Sequence, residues 1–346
     1  IIKLIEIMKI SGKVLNVGDG DAIIIIAQKG NDNLLIVIDG GNKSYGQKVL
    51  IEVKKICDEY NKKAPDLIVC THYDSDHIAG IITLVDEFKN DIKDIWIHQP
   101  RGVIKESLKT APKVLEYIYN KSGMLNFNEH VLYQNYLAAP KFNEYRYIIE
   151  SVGQLNELIS LIKKYKIPTQ EPIAGVCKII NWDEIKVIGP TQEYYDKVFD
   201  KQDNLLQIFQ EEYDDLILEN AKNKPLLISN PCEMLKKVSN ITPTNKASAV
   251  IRFDCEDGKY LFTADAGIES LKNTLGYPES IKNMKFLKIP HHGSNNNISK
   301  ELIDLINPEI AFNSGKNHED PEVILCLKSN TNRIVKTTKE LGDLEF

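Results

Sequence analysis

The stretch Thr71-His72-Tyr73-Asp74-Ser75-Asp76-His77-Ile78-Ala79-Gly80 constrains this chain more than any other. It sets two imidazoles and two carboxylates between His72 and His77. The segment before it, Ala64 to Cys70, is apolar after Pro65 and reads as a short buried strand. Ile78 to Phe88 reads as a helix, so the cluster falls on a strand-to-helix loop. Open α/β folds place their chemistry there, outside the carboxyl ends of the strands. A tight turn that gathers imidazole and carboxylate donors is a metal-ligand set by donor type. A solvated polar turn would account for the aspartates but not for two histidines at this spacing.

Around that loop the chain alternates strand and helix. Val14 to Ile26 reads as a strand, a Gly-Asp-Gly-Asp turn and a second strand over Ala22–Ala27, and Leu34–Asp39 gives a third. Gln47 to Tyr60 carries Val49, Val53, Ile56 and Tyr60 at helical spacing, and Ile92–His98 is a further strand. This is an α/β pattern. Residues of about 101–167 turn helical and gather Tyr117, Tyr119, Tyr133, Tyr136, Tyr145, Tyr147 and Tyr165. Those rings read either as a stacking platform beside the site or, by the commoner role of aromatics, as packing. Val176 to Ile188 returns to strands about a turn at Asn181–Glu184. A second polar helical stretch follows, 191–240, with Glu211, Glu212, Asp214 and Asp215 on a solvated face. Ser248–Asp254 and Lys259–Thr263 form a hairpin, and Met284–Pro290, Glu309–Asn313 and Arg333–Lys336 complete a second set of strands. The expectation is one domain over 1–346 with two helical insertions.

Composition narrows the setting. An apolar fraction of 42% supplies a core, and no apolar run approaches a membrane span. Ile1 to Ile10 is interrupted by Lys3, Glu6 and Lys9 and does not read as a signal peptide. The six cysteines form no Cys-x-x-Cys pair, a pattern that points to free thiols in a reducing cytoplasm. A net charge of −6 does not advertise nucleic-acid binding, although bound cations would change the local sign.

The His-x-Asp-x-Asp-His stretch resembles the His-x-His-x-Asp-His signature of the metallo-β-lactamase superfamily, with Asp74 in place of the second His. The variant resembles the hydrolase domain of ComEC-type competence proteins. Four further stretches carry the same resemblance. They are Val17-Gly-Asp-Gly-Asp-Ala22, Ile38-Asp-Gly-Gly41, Asn245-Lys-Ala-Ser248 with Leu261-Phe-Thr-Ala-Asp265, and Lys288-Ile-Pro-His-His-Gly-Ser294. Ala264 departs from the usual Gly. The resemblance covers the first hundred or so residues and the last hundred, and implies a four-layer αββα sandwich with helical insertions.

It also implies two divalent ions, Mn²⁺ or Zn²⁺. His72 and Asp74 would hold the first, Asp76 and His77 the second, and Asp265 would bridge them. Of His291-His292, the former is assigned to the second ion and the latter to the substrate side, an order the sequence alone leaves open. Asn245 stands where relatives carry a further His, so it would orient water or contact substrate, and the oxygen-rich first ion shifts preference toward Mn²⁺. Asp39 would fix the tautomer of a ligand His. Asp19 and Asp21 read as turn residues, and His98 as a satisfied, half-buried ring. Asp76, His292 and His318 are the catalytic candidates, and Lys288 and Ser294 the substrate contacts. Glu319 and Asp320 depart from the Gly-x-x-His-Pro element that His318 would otherwise match.

The implied reaction is hydrolysis of a phosphodiester, with nucleic acid as substrate, by a water activated between the two ions. Ester, thioester, lactone or lactam hydrolysis is the rival on the same fold. A partner-dependent regulatory component of a bacterial system is the rival outside enzymes. A serine hydrolase is disfavoured, since no Gly-x-Ser-x-Gly elbow occurs.

Overall fold

The computed structural model describes residues 7–99, 142–199, 230–238 and 241–346. Two sheets face each other. The first runs β13 (Leu344–Glu345), β1 (Lys9–Val14), β2 (Ile23–Lys29), β3 (Asp32–Ile38), β4 (Leu67–Val69), β5 (Asp94–Trp96) and β6 (Thr169–Gln170). The second runs β12 (Ile334–Thr337), β11 (Ile310–Asn313), β10 (Phe286–Lys288), β9 (Gly258–Phe262), β8 (Val250–Cys255) and β7 (Ile185–Gly189). In the first sheet β1, β2 and β3 pair antiparallel and β3 to β6 parallel.

Side-chain alternation along these strands builds the layers. Ile23 and Ile25 of β2, Ile36 and Ile38 of β3, and Trp96 of β5 pack between the sheets against Phe253, Phe262, Phe286 and Phe312. Their neighbours Ile24, Ile26, Leu35, Val37 and Ile95 point the other way, onto α1 (Gly46–Glu59), α2 (Ser75–Phe88) and α3 (Phe142–Tyr165). The period of two sends successive residues to opposite faces, so a strand buried on both faces reads as an unbroken apolar run. On the second sheet Leu261, Leu287 and Ala311 meet Leu302 and Ile303 of α7 (Lys300–Ile306) and Val323 and Leu327 of α8 (Pro321–Lys328). The shorter helices are α4 (Gln192–Phe199), α5 (Pro243–Lys246), α6 (Ile268–Lys272) and α9 (Thr338–Leu341). The result is the expected αββα sandwich.

Four expectations change. The strand pair about Asn181–Glu184 reduces to β7, because Val176 and Ile180 are exposed and only Ile185–Gly189 finds a partner strand. β1 begins at Lys9 rather than Val14 and pairs along its whole length with β2. The far end of the first helical insertion is part of the sandwich itself: Leu155, Leu158 and Ile162 of α3 are buried in the same core as Leu84 and Val85 of α2. Cys232 and Cys326 form a disulfide that ties 230–238 to α8, which the scattered spacing did not suggest, whereas Cys57, Cys70, Cys177 and Cys255 are free. The side chains of Tyr117, Tyr119, Tyr133, Tyr136, Tyr145 and Tyr147, and the acidic run Glu211–Asp215, lie outside those described. Tyr165 is described, and its hydroxyl donates to Asp86 Oδ1 at 3.1 Å. Among the described residues no helix is long and apolar enough to cross a membrane.

Candidate metal centre

The site begins with a close backbone approach. Gly40 N donates to His77 O (2.8 Å) and Gly80 N to Gly41 O (2.9 Å), which seats the start of α2 on the exit of β3. A Cβ on Gly80 would lie 1.8 Å from Gly40 O, and one on Gly40 would lie 2.3 Å from Ile81 N, so neither position accepts a side chain. The contact brings Asp39 under the ligand loop. That loop is shorter than the sequence suggests, because α2 starts at Ser75 with Asp74 as its N-cap residue, and Asp76 and His77 lie in its first turn.

Hydrogen bonds then fix which nitrogen of each ring is bare. Asp39 accepts from Thr71 N (2.9 Å), from Thr71 Oγ1 (2.6 Å) and from His77 Nδ1 (2.8 Å). Thr71 spends its one hydroxyl hydrogen on Asp39, so at 3.0 Å from His72 Nδ1 its oxygen accepts, and His72 donates. His292 Nδ1 faces the main-chain oxygen of Ser314 at 3.2 Å and also donates. In each neutral ring the other nitrogen, Nε2, carries a lone pair.

Those lone pairs converge on one oxygen. Asp265 Oδ2 lies 3.6 Å from His72 Nε2, 3.4 Å from His77 Nε2, 3.6 Å from His291 Nε2 and 3.7 Å from His292 Nε2. Asp74 Oδ2 is 3.5 Å from His72 Nε2, and Asp76 Oδ2 is 3.3 Å from His292 Nε2 and 3.8 Å from His77 Nε2. The Nε2 atoms of His72, His77 and His292 and Oδ1 of Asp265 are buried without a hydrogen-bond partner. Acceptors facing acceptors repel unless a cation lies among them. Two ligand atoms about 2.1 Å from a tetrahedral ion are about 3.4 Å apart, which matches these spacings. The residues therefore fit a divalent metal, in two overlapping sets: His72, His77 and Asp265, and Asp76, His77 and His292.

Electrostatics say the same. Burial pushes the Asp265 and Asp76 carboxyls up, yet the surrounding histidines, His77 foremost, hold both below the usual carboxylate range. Burial pushes His77 down, but Asp265, Asp76 and Asp39 hold it well above the usual imidazole range.

The two rings of the Pro290–Gly293 turn lie at different depths, although both face Asp265. Both histidines adopt positive φ (45° and 54°), and this turn buries His292 beside Asp76 while leaving the His291 side chain 14% exposed. His292, not His291, joins Asp76 and His77, and His291 occupies the more open side. His318 stands at the same rim, its ring centroid 6.5 Å from that of His291 and 6.2 Å from that of His292.

Lys288 is not at the mouth. It is fully buried, and its ammonium meets Asp21 Oδ2 at 2.8 Å and Ile289 O at 3.0 Å, so it has no reach toward a substrate. Asp21 is correspondingly more than a turn residue, since Ser314 Oγ donates to its Oδ1. Burial raises the Asp21 carboxyl, but Lys288 and then His292 and His77 hold it below its ordinary value. Asp19 closes the rim by accepting from Lys316 N (2.7 Å) and Asn317 N (2.6 Å). Ser294 is buried and accepts from Asn296 N at 3.3 Å, which makes it part of a turn. Asn245 sits on α5, buried, with Oδ1 unpartnered. His98 stacks on Tyr195 at 4.6 Å and is buried. Thr71 and Ser314, which face the Nδ1 atoms of His72 and His292, were not singled out from the sequence; the adjacency of Thr71 to His72 could have signalled the first, and nothing local marks the second.

The model of the metallo-beta-lactamase superfamily matches residues 15–100, which contain the first ligand cluster and its Asp39 partner. Over that first quarter of the chain the sequence is similar to the superfamily, and the αββα fold is of the same kind. A search of curated proteins finds no match. Among solved structures, the metallo-beta-lactamase fold protein YhfI from Bacillus subtilis aligns at 12% identity over 98% of this chain and 99% of its own, with TM-score 0.42. A Thermotoga maritima protein described as a metallo-beta-lactamase aligns at 14% identity over 75% of this chain and 79% of its own, with TM-score 0.30. A variant of the CmlA beta-hydroxylase aligns at 10% identity over 97% of this chain and 53% of its own, with TM-score 0.40.

Proposed function

We propose that this protein is a two-metal phosphodiesterase, a nuclease of the ComEC-type hydrolase class. The observation that carries the reading is the meeting of four imidazole Nε2 atoms on Asp265 Oδ2, flanked by Asp74 and Asp76. His72, Asp74, His291 and Asp265 would hold one ion, and Asp76, His77, His292 and Asp265 the other. Such ions supply Lewis-acid charge that lowers the pKa of water and offsets negative charge on a phosphoryl group. The oxygen donors Asp74, Asp76 and Asp265 suit Mn²⁺ at least as well as Zn²⁺.

The chain's own residues do the rest. Asp39 and Ser314 O keep the Nδ1 protons of His77 and His292 turned away from the reacting side, which leaves both Nε2 atoms free to bind. Because those partners are themselves tied down, the rings are oriented before any ligand arrives, and little reorganisation is needed at the moment of reaction. In this reading His318, half-buried at the rim beside His291, would deliver an imidazole N–H proton to a leaving oxygen; its position at the rim supports that role.

The test loads purified protein with Mn²⁺ or Zn²⁺, counts bound ions, and assays single- and double-stranded DNA, RNA, a generic phosphodiester and a lactone side by side. Phosphodiester cleavage that is lost in Asp265→Ala, together with both ions, is the expected result. Lactone turnover alone would move the protein to the rival enzyme class. Silence on every substrate with both ions bound would favour the regulatory reading.

A further inference from the structure

Asn297 is an amide with no exposure at all, in the loop that follows the two histidines. Its Nδ2 lies 2.8 Å from the main-chain oxygen of Asp265 and 3.5 Å from that of Ala266. Carbonyl oxygens only accept, so the amide nitrogen must face them, and the orientation of the amide is settled by chemistry. Its Oδ1 is then the atom 2.9 Å from His291 Nδ1, and it too can only accept. The hydrogen in that contact belongs to His291 Nδ1. When the ring is neutral, its Nε2 carries a lone pair and faces Asp265 Oδ2 at 3.6 Å.

We infer that Asn297 is a positioning residue: one buried amide sets the tautomer of His291 and ties that ring to the main chain of Asp265. His291 is the ring most in need of such a partner. His77 has Asp39, His72 has Thr71, His292 has Ser314 O, and His291 is the most exposed of the four, at 14% against 1% or less. With Nδ1 protonated, its Nε2 acts as an acceptor toward a cation and not as a proton donor. That separates its role from the one proposed for His318.

The loop does not depend on this amide for its shape. Asn295 N donates to Asp320 Oδ2 (2.7 Å), Asn295 Nδ2 to Glu322 Oε1 (2.7 Å), and Lys236 N to Asn295 Oδ1 (2.7 Å), while Asn297 N donates to Ser294 O (3.1 Å). These contacts survive when the Asn297 side chain is changed, so the ring can be released without dismantling its surroundings.

The test reads the tautomer directly, in metal-free protein, by long-range ¹H–¹⁵N correlation spectra of protein labelled at histidine, with His291→Gln to assign the ring. At a pH where the ring is neutral, His291 should show a protonated Nδ1 and a bare Nε2. Asn297→Leu should lose that fixed form, and Asn297→Asp, which keeps an acceptor oxygen, should retain it. Titration with Mn²⁺ or Zn²⁺ alone should show affinity about ten- to hundredfold weaker in Asn297→Leu. A wild-type ring protonated at Nε2, or an unchanged tautomer in Asn297→Leu, would overturn the assignment, and the wild-type spectrum decides even if neither variant folds. The metal titration rests on the metal-centre reading. The tautomer does not, so failure of one is distinguishable from failure of the other.

Discussion

Lys288 Nζ lies 2.8 Å from Asp21 Oδ2, and neither side chain is more than 1% exposed. Asp21 belongs to the turn between β1 and β2 in the first sheet, and Lys288 ends β10 in the second. The pair therefore crosses between the halves of the sandwich, directly behind His292, whose Nδ1 is 3.7 Å from Asp21 Oδ1. Asp76 and His292 also come from opposite halves, so the clasp and the metal centre depend on the same docking.

Breaking the clasp on one side strands a charge. Lys288→Met should cost about 3–5 kcal/mol, because Asp21 is left buried and unpaired. Lys288→Met combined with Asp21→Asn removes both charges and should regain most of that loss. Urea denaturation of the two variants measures the difference, and a single variant within about 0.5 kcal/mol of the parent would show that the ion pair holds nothing together.

Asp39 accepts three hydrogen bonds at once, and one of them orients His77. Asp39→Asn keeps the volume but turns an NH₂ toward at least one donor. Affinity for Mn²⁺ or Zn²⁺, read by competition with a chromophoric chelator, should fall about ten- to hundredfold, with circular dichroism near that of the parent. Unchanged affinity would mean that another group orients the ring.

Gly80 is a case where the sign of the effect decides. Helix propensity alone predicts that Gly80→Ala in α2 stabilises by about 1 kcal/mol. The close approach predicts the opposite, because the new Cβ would lie 1.8 Å from Gly40 O, a main-chain atom with little room to yield. Overpacking of this kind costs about 1–3 kcal/mol and occasionally more. Thermal denaturation should show a lower midpoint, and weakened metal binding should follow as Asp39 and His77 are pushed apart.

The sequence by itself determined the local parts of this protein. The ligands His72, Asp74, Asp76 and His77 lie in one short run, and their donor types announce a cation without any knowledge of distant contacts. The strands read as strands because both faces are buried and every residue is apolar, as in Ile23–Ala27. Periodicity also placed α1 and the body of α2. What it left open depends on partners far away in the chain. Two adjacent histidines have equal claims until the Pro290–Gly293 turn sends His292 inward to Asp76 and leaves His291 at the rim. Lys288 looks like a free cation until the second sheet carries it onto Asp21, and the bond between Cys232 and Cys326 appears only once 230–238 is laid against α8. Side-chain chemistry and spacing are written in the sequence. Which lone pair, charge or thiol meets which is fixed only when the two sheets dock and water is removed from between them.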